Sequence, residues 1–257
     1  MAESVYAQSG AGVRFEWGLA GAAELGRVCA VLVVVDVLSF TTSVDVAAGR
    51  GMRVHPFPWG AQADDYARRV GAVAAVGRGA VTADRPWSLS PASLRSAPVV
   101  PDLVLPSPNG SAISAAASAT GHPVLAGCLR NAPAVARWLL SQGYGSLDAP
   151  IGVIASGEQW PDGTLRPCVE DLLGAAAILD GLIDAPGGLS VEAAVALAAL
   201  ASVPDVPAAV RGSASGRELT ERGFTADVDL AVAVATSEGV PVLRNGVFTP
   251  HPPVIRE

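Results

Sequence analysis

Apolar runs of strand length alternate along the chain with alanine-rich stretches of helical spacing. "CAVLVVV" (29–35), "RVHPF" (53–57), "AVAAV" (72–76), "DLVLP" (102–106), "PVLAGC" (123–128) and "IGVIAS" (151–156) read as strands. Between them "TTSVDVAAGRG", "GAQADDYARRV", "NGSAISAAASA" and "NAPAVARWLLSQG" read as helices. Two more helical stretches follow, "VEDLLGAAAILDGLID" and "SVEAAVALAALASV". Then come a helical region with a loop, "GRELTERGFTADVDLAVAVA", and a last strand, "PVLRN". Continuous rather than alternating apolarity marks strands buried on both faces. The pattern therefore predicts an α/β fold in three layers, a mostly parallel or mixed sheet with helices on both faces.

The order of elements repeats. An ungapped shift of 70 residues lays 31–71 on 101–141, with the strand ending at Asp36 on the strand ending at Pro106, Thr41 on Ser111 and Gly51 on Gly121. Two explanations stand: an internal duplication, giving similar halves and subdomains 1–98 and 99–257, or two ordinary βαβα units. No low-complexity linker separates domains, so 1–257 reads as a single α/β domain.

Composition narrows the chemistry. Half of the 257 residues are apolar and 16% are charged, which suits a globular chain. A net charge of −7 with no basic stripe argues against a nucleic-acid partner. All 17 basic residues are arginine, so neither a Schiff-base lysine nor a P-loop lysine is available. No apolar run reaches the roughly 18 residues that span a bilayer, and "MAESVYAQSG" lacks the pattern of a signal peptide. The expectation is a cytoplasmic protein without a membrane partner. Cys29, Cys128 and Cys168 have no CxxC spacing and read as reduced thiols, the first two buried in apolar runs.

Polar residues collect where the strands end, which is where open α/β sheets bind ligands. The run 31–35 delivers Asp36, Ser39, Thr41 and Thr42; 73–76 delivers Gly77 and Arg78; 102–105 delivers Ser107, Asn109 and Ser111. The run 123–127 leads to Arg130 and Asn131, and 151–155 to Ser156, Gly157 and Glu158, with Glu170 and Asp171 soon after. Thr41, Asn109 and Asn131 also suit helix N-caps, and Glu170 and Asp171 suit a first helical turn. Asp36 is harder to explain so, because a carboxylate ending an apolar strand needs partners. Such a rim fits anion handling, with helix-start amides, Ser39, Thr41, Thr42, Ser107, Ser111 and Arg130 as binding groups. Acids on the same rim need a divalent cation between them and the anion, and Asp36, Glu170 and Asp171 are oxygen donors that suit Mg²⁺. No zinc ligand cluster exists, and His55, His122 and His251 lie outside the rim.

"DVLSFTTS" (36–43), "SPNGSA" (107–112), "LRNAPAVA" (129–136) and "VEDLLGAA" (169–176), with the closing segment "GRELTERGFTADVDLAVAVATSEGVPVL", resemble the 2-phosphosulfolactate phosphatase (ComB) family over roughly residues 28 to 243. The resemblance implies an α/β fold and Mg²⁺-dependent phosphatase activity on a small anionic phosphorylated substrate, a three-carbon sulfonate. It also implies homo-oligomers. Motif by motif it places Asp36, Asn109, Asn131, Glu170 and Asp171 in the site, with Arg78 matching the family's Glu-Arg and Asp227 as a weaker candidate. Asp36, Asn109, Asn131 and Glu170 are then expected within one cleft.

One departure bears on substrate. The family pattern is Asp-Val-Leu-Arg, and this chain has Ser39 where that arginine belongs. An arginine there is a bidentate clamp for phosphate or sulfonate; serine brings no charge. Two readings follow, a phosphatase, or a non-catalytic relative that binds a small anion. They divide on whether Arg78 or Arg130 reaches the site in place of the missing arginine.

Overall fold

Nine strands join into one mixed sheet in the computed structural model, which describes residues 4–60 and 62–251. In chain order the strands are β1 (Val13–Trp17), β2 (Val31–Val35), β3 (Arg53–Pro58), β4 (Val73–Ala74), β5 (Asp102–Ser107), β6 (Val124–Gly127), β7 (Ile151–Ala155), β8 (Glu158–Gln159), β9 (Leu165–Arg166), β10 (Val240–Arg244) and β11 (Val247–His251). β8 and β9 form a separate antiparallel hairpin; the others run in the order β1-β7-β2-β6-β10-β11-β3-β5-β4. The α/β class and the mixed sheet expected from the apolar runs are both present.

Two parallel blocks make up the sheet. β1, β7, β2 and β6 form one, and β3, β5 and β4 the other. The hairpin β10–β11 sits between them and is antiparallel to both neighbours. Direction therefore reverses across the hairpin, and in a flat sheet the C-terminal ends of β2 and β5 would lie on opposite edges. They meet instead: the amide of Gly110, after β5, donates to the carboxylate of Asp36, after β2, at 3.0 Å. The two blocks thus fold toward each other around the helices Phe40–Gly49 and Gly110–Ser118, each of which contacts strands of both blocks.

Burial follows from that wrapping. Leu32 and Val34 of β2 share one apolar cluster with Phe40, Val44, Ile113 and Leu103. Val31, Val33 and Val35 face the other way, onto Trp138, Leu139 and Ile178. Every β2 side chain is fully buried, as unbroken apolarity requires. At the 70-residue offset β2 corresponds to β5, Phe40–Gly49 to Gly110–Ser118, and β3 to β6. The halves exchange partners, since β2 pairs with β6 and β3 with β5, so strands of 1–98 and of 99–257 alternate within one sheet.

Among the described residues no single helix is long and apolar enough to cross a membrane. All three cysteines are buried free thiols. The side chain of His251 lies outside the described part.

Candidate active site

Asp36 follows β2 in the turn that opens the helix Phe40–Gly49. Its Oδ1 accepts the Phe40 amide and its Oδ2 the Gly110 amide, each at 3.0 Å. One carboxylate therefore closes the exposed N–H ends of two helices, where a negative charge is favoured. This also explains the Asn109-Gly110 pair. A Cβ at position 110 would lie 2.6 Å from Asp36 Oδ2 and 2.5 Å from Phe40 Cδ1, so only glycine fits. The helix-start amides expected to hold an anion are here held in part by the protein's own acid.

Thr41 and Thr42 are fully buried and serve the same turn. The Thr41 hydroxyl donates to the Asp36 carbonyl and accepts the Asp36 amide, and Thr42 donates to the Val37 carbonyl. Ser111, also fully buried, donates to the Phe57 and Ser107 carbonyls. These three hydroxyls lock backbone rather than face a ligand. Ser107 Oγ accepts the Asn109 amide, and the residue still lines the cavity described below.

Asp171 repeats the device at the next strand end. In the first turn of the helix Val169–Asp180, it accepts the Val37 amide at 2.8 Å and the Gly157 amide at 2.9 Å, tying the exits of β2 and β7 together. Gly174 lets this helix approach: a Cβ there would lie 2.6 Å from Val37 Cγ2. Glu170 is buried beside it.

The acids feel one another. Burial pushes the Asp36 carboxyl up to about 6; the Phe40 and Gly110 amides pull it down, while Glu158 and Glu170 add to the rise. Asp171 is raised well above the ordinary range, by burial first and then by the charges of Asp36 and Glu170. Glu158, on the β8–β9 hairpin, is raised mainly by burial and is steadied by Asn109, whose Nδ2 donates to its Oε2 at 2.8 Å. The sequence put Glu158 on the rim but not in the site; its signal was its place directly after a strand end.

A cavity of about 280 Å³ opens over this cluster, lined by Asp36, Ser39, Trp59, Arg78, Asn109 and Glu158 among others. Arg78, delivered after β4, donates from Nη2 to Ser39 Oγ at 2.6 Å and from Nε to Asp227 Oδ2 at 2.9 Å. Its guanidinium also lies over the Phe224 ring, 5.4 Å from the centroid. Asp227 is almost wholly buried and accepts from the Ser90 hydroxyl and the Ala92 amide through its other oxygen. Asp227 is thus the positioner of Arg78, and Arg78 brings a cation to the serine that replaces the expected arginine.

Arg130 and Asn131 are not brought to this cavity. Arg130 pairs with the buried Asp45 at 2.8 Å and donates to the Leu230 carbonyl. Asn131 is fully buried; it accepts the Cys128 amide and donates to the Ala126 and Gly239 carbonyls. A backbone-bonded asparagine after a strand looks the same in sequence as one that faces a ligand. Of the four residues expected in a single cleft, Asp36 and Asn109 line this cavity together, while Asn131 and Glu170 are not among its lining residues.

Among the described residues no group of three or more His, Cys, Asp or Glu side chains is arranged to hold a metal ion. Mg²⁺ asks for less, because it keeps several waters and binds through one or two carboxylates plus phosphate oxygens. The buried acids around Asp36 have the chemistry for it: hard oxygen donors whose mutual repulsion a divalent cation relieves.

The family model of 2-phosphosulpholactate phosphatase matches residues 21–246 of the chain. Among curated proteins, none matches it.

Proposed function

This chain belongs to the 2-phosphosulpholactate phosphatase family, a family of phosphoric monoester hydrolases, and from that premise we propose a Mg²⁺-dependent phosphatase of small phosphorylated hydroxy acids, with its reaction centre in the Asp36–Arg78–Glu158 cavity. The observation that carries the proposal is the guanidinium of Arg78 in the same cavity as Asp36, despite Ser39.

Asp36, with Glu170 or Asp171, would hold the ion. When bound, Mg²⁺ supplies positive charge against the phosphate oxygens. Arg78 uses Nε and Nη2 on Asp227 and Ser39, which leaves Nη1 to meet a phosphate oxygen. Asp227 holds that guanidinium in one orientation, and Asn109 does the same for Glu158. Both Asp36 oxygens accept backbone N–H groups, which lowers their nucleophilicity and favours water as the attacking group. Glu158, with one oxygen on Asn109 and a raised proton affinity, takes the proton of that water as it adds to phosphorus and returns it to the ester oxygen as the P–O bond breaks, so the product leaves as the alcohol.

The non-catalytic alternative has one observation in its favour, that Arg78 is already paired with Asp227. Hydrolysis of p-nitrophenyl phosphate with and without Mg²⁺ separates the two. Turnover that needs the ion supports the phosphatase; its absence from a folded protein supports the binder.

A further inference from the structure

We propose that the substrate's alcohol portion carries a neutral, apolar group in place of a sulfonate, and that this group is held in a second cavity beside the reaction centre. The inference rests on the phosphatase reading and specifies its substrate class.

The second cavity, of about 240 Å³, shares Pro108, Asn109 and Glu158 with the first, so it adjoins the place of a phosphate that lies by Arg78. Its walls are mainly apolar: Trp17, Leu19, Ala112, Ile113 and Leu165. Leu19 and Leu165 are 53% and 41% exposed, apolar surface at the mouth that a ligand would cover. Leu165 comes from the same β8–β9 hairpin as Glu158, so the hairpin borders both cavities.

Charge decides what fits. No residue lining the second cavity is basic, and its one charged wall residue is the acid Glu158. In the first cavity Arg78 is the basic residue on the wall. A phosphate takes that cation, and a sulfonate on the same small molecule would then face Glu158 across an apolar pocket. Such an anion would meet an acid and have no basic lining residue to pair with. An alkyl or aryl group meets no such penalty. One polar group does look for a partner. Ser156 lines this cavity, and its buried hydroxyl has no hydrogen-bond partner among the described residues.

The test compares three phosphate monoesters in the presence of Mg²⁺: 2-phospholactate, 2-phosphosulfolactate, and the O-phosphate of 2-hydroxy-4-methylpentanoate. The apolar ester should exceed 2-phosphosulfolactate in kcat/KM by about tenfold or more, the discrimination one buried apolar side group provides. Leu165→Asp and Ala112→Phe should erase that preference while 2-phospholactate turnover falls less. Calorimetry with the unphosphorylated acids gives a readout independent of turnover: 2-hydroxy-4-methylpentanoate should bind and sulfolactate should bind more weakly. If no ester is cleaved but this binding order appears, the phosphatase reading fails and the apolar subsite stands. If 2-phosphosulfolactate is cleaved as well as the apolar ester, or the two acids bind alike and Leu165→Asp changes neither, the subsite proposal is overturned.

Discussion

Arg78 donates to Ser39 across 2.6 Å, although 39 positions separate them in sequence. A serine at that position looks, on the chain alone, like the loss of an anion clamp. The fold replaces the lost charge from a different strand and braces it on Asp227, 149 positions further along. Position 39 is therefore a contact to the cation rather than the cation itself.

Arg78→Ala is predicted to fail twice over. It removes the cavity's cation and leaves the carboxylate of Asp227 buried and unpaired, a change of about 3–5 kcal/mol in stability. Arg78→Ala with Asp227→Asn should regain much of that stability in a denaturant titration yet stay impaired in phosphate-ester turnover. Recovery of both together would mean that Arg78 is structural only.

Ser39→Arg, attractive from sequence, is expected to harm rather than help. Its guanidinium would be placed against Arg78 in a buried position, with like charges in contact. Tighter sulfate binding by this variant, measured by calorimetry, would show that the cavity accepts both cations.

Gly110→Ala should be far more damaging than an ordinary alanine at a helix start. The new methyl overlaps Asp36 Oδ2 and the Phe40 ring edge, and presses on Asp36 Cβ at 3.0 Å. A loss of about 1–3 kcal/mol is expected from overpacking, together with loss of activity as Asp36 is displaced. Wild-type thermal stability in Gly110→Ala would refute the tight double-helix capping.

Burial pushes Cys29 up to about 11 and Cys128 up to about 12, from a reference near 9. Both folded-state values lie above the unfolded value, so the folded state keeps its protons longer, and stability should decline as pH rises through this interval. Denaturation midpoints should fall between pH 9 and 11, and Cys128→Ala should reduce that slope. Iodoacetamide at pH 8 should label the native protein slowly and the unfolded chain quickly.

The sheet was legible wherever strands were buried on both faces, as at Val31–Val35, because five consecutive apolar residues have few other uses. β1, "VRFEW", alternates polar and apolar residues at the sheet edge and gave no comparable signal. β11, "VFTPH", contains a proline, so the antiparallel hairpin that joins the blocks went unseen, and with it the curl that brings Asp36 to Gly110. In the site, residue types at strand ends pointed to Asp36, Asn109 and Arg78, which do share a cavity. They could not separate these from Thr41, Thr42, Ser111 and Asn131, whose polar atoms bond backbone, because that depends on side-chain direction after folding.

The central claim is that Glu158 and Asp36 serve a Mg²⁺-dependent hydrolysis in the cavity where Arg78 is the cation. Glu158→Gln tests it most directly: the amide keeps the size of the side chain and a carbonyl for Asn109, but cannot take a proton from water. With saturating Mg²⁺, kcat for p-nitrophenyl phosphate should drop by about 10²–10⁴-fold while KM changes little, the loss expected for a general base. The thermal unfolding midpoint should stay near that of wild type. A Glu158→Gln enzyme with undiminished kcat, or a wild-type enzyme whose turnover is indifferent to chelation of Mg²⁺, would contradict the account.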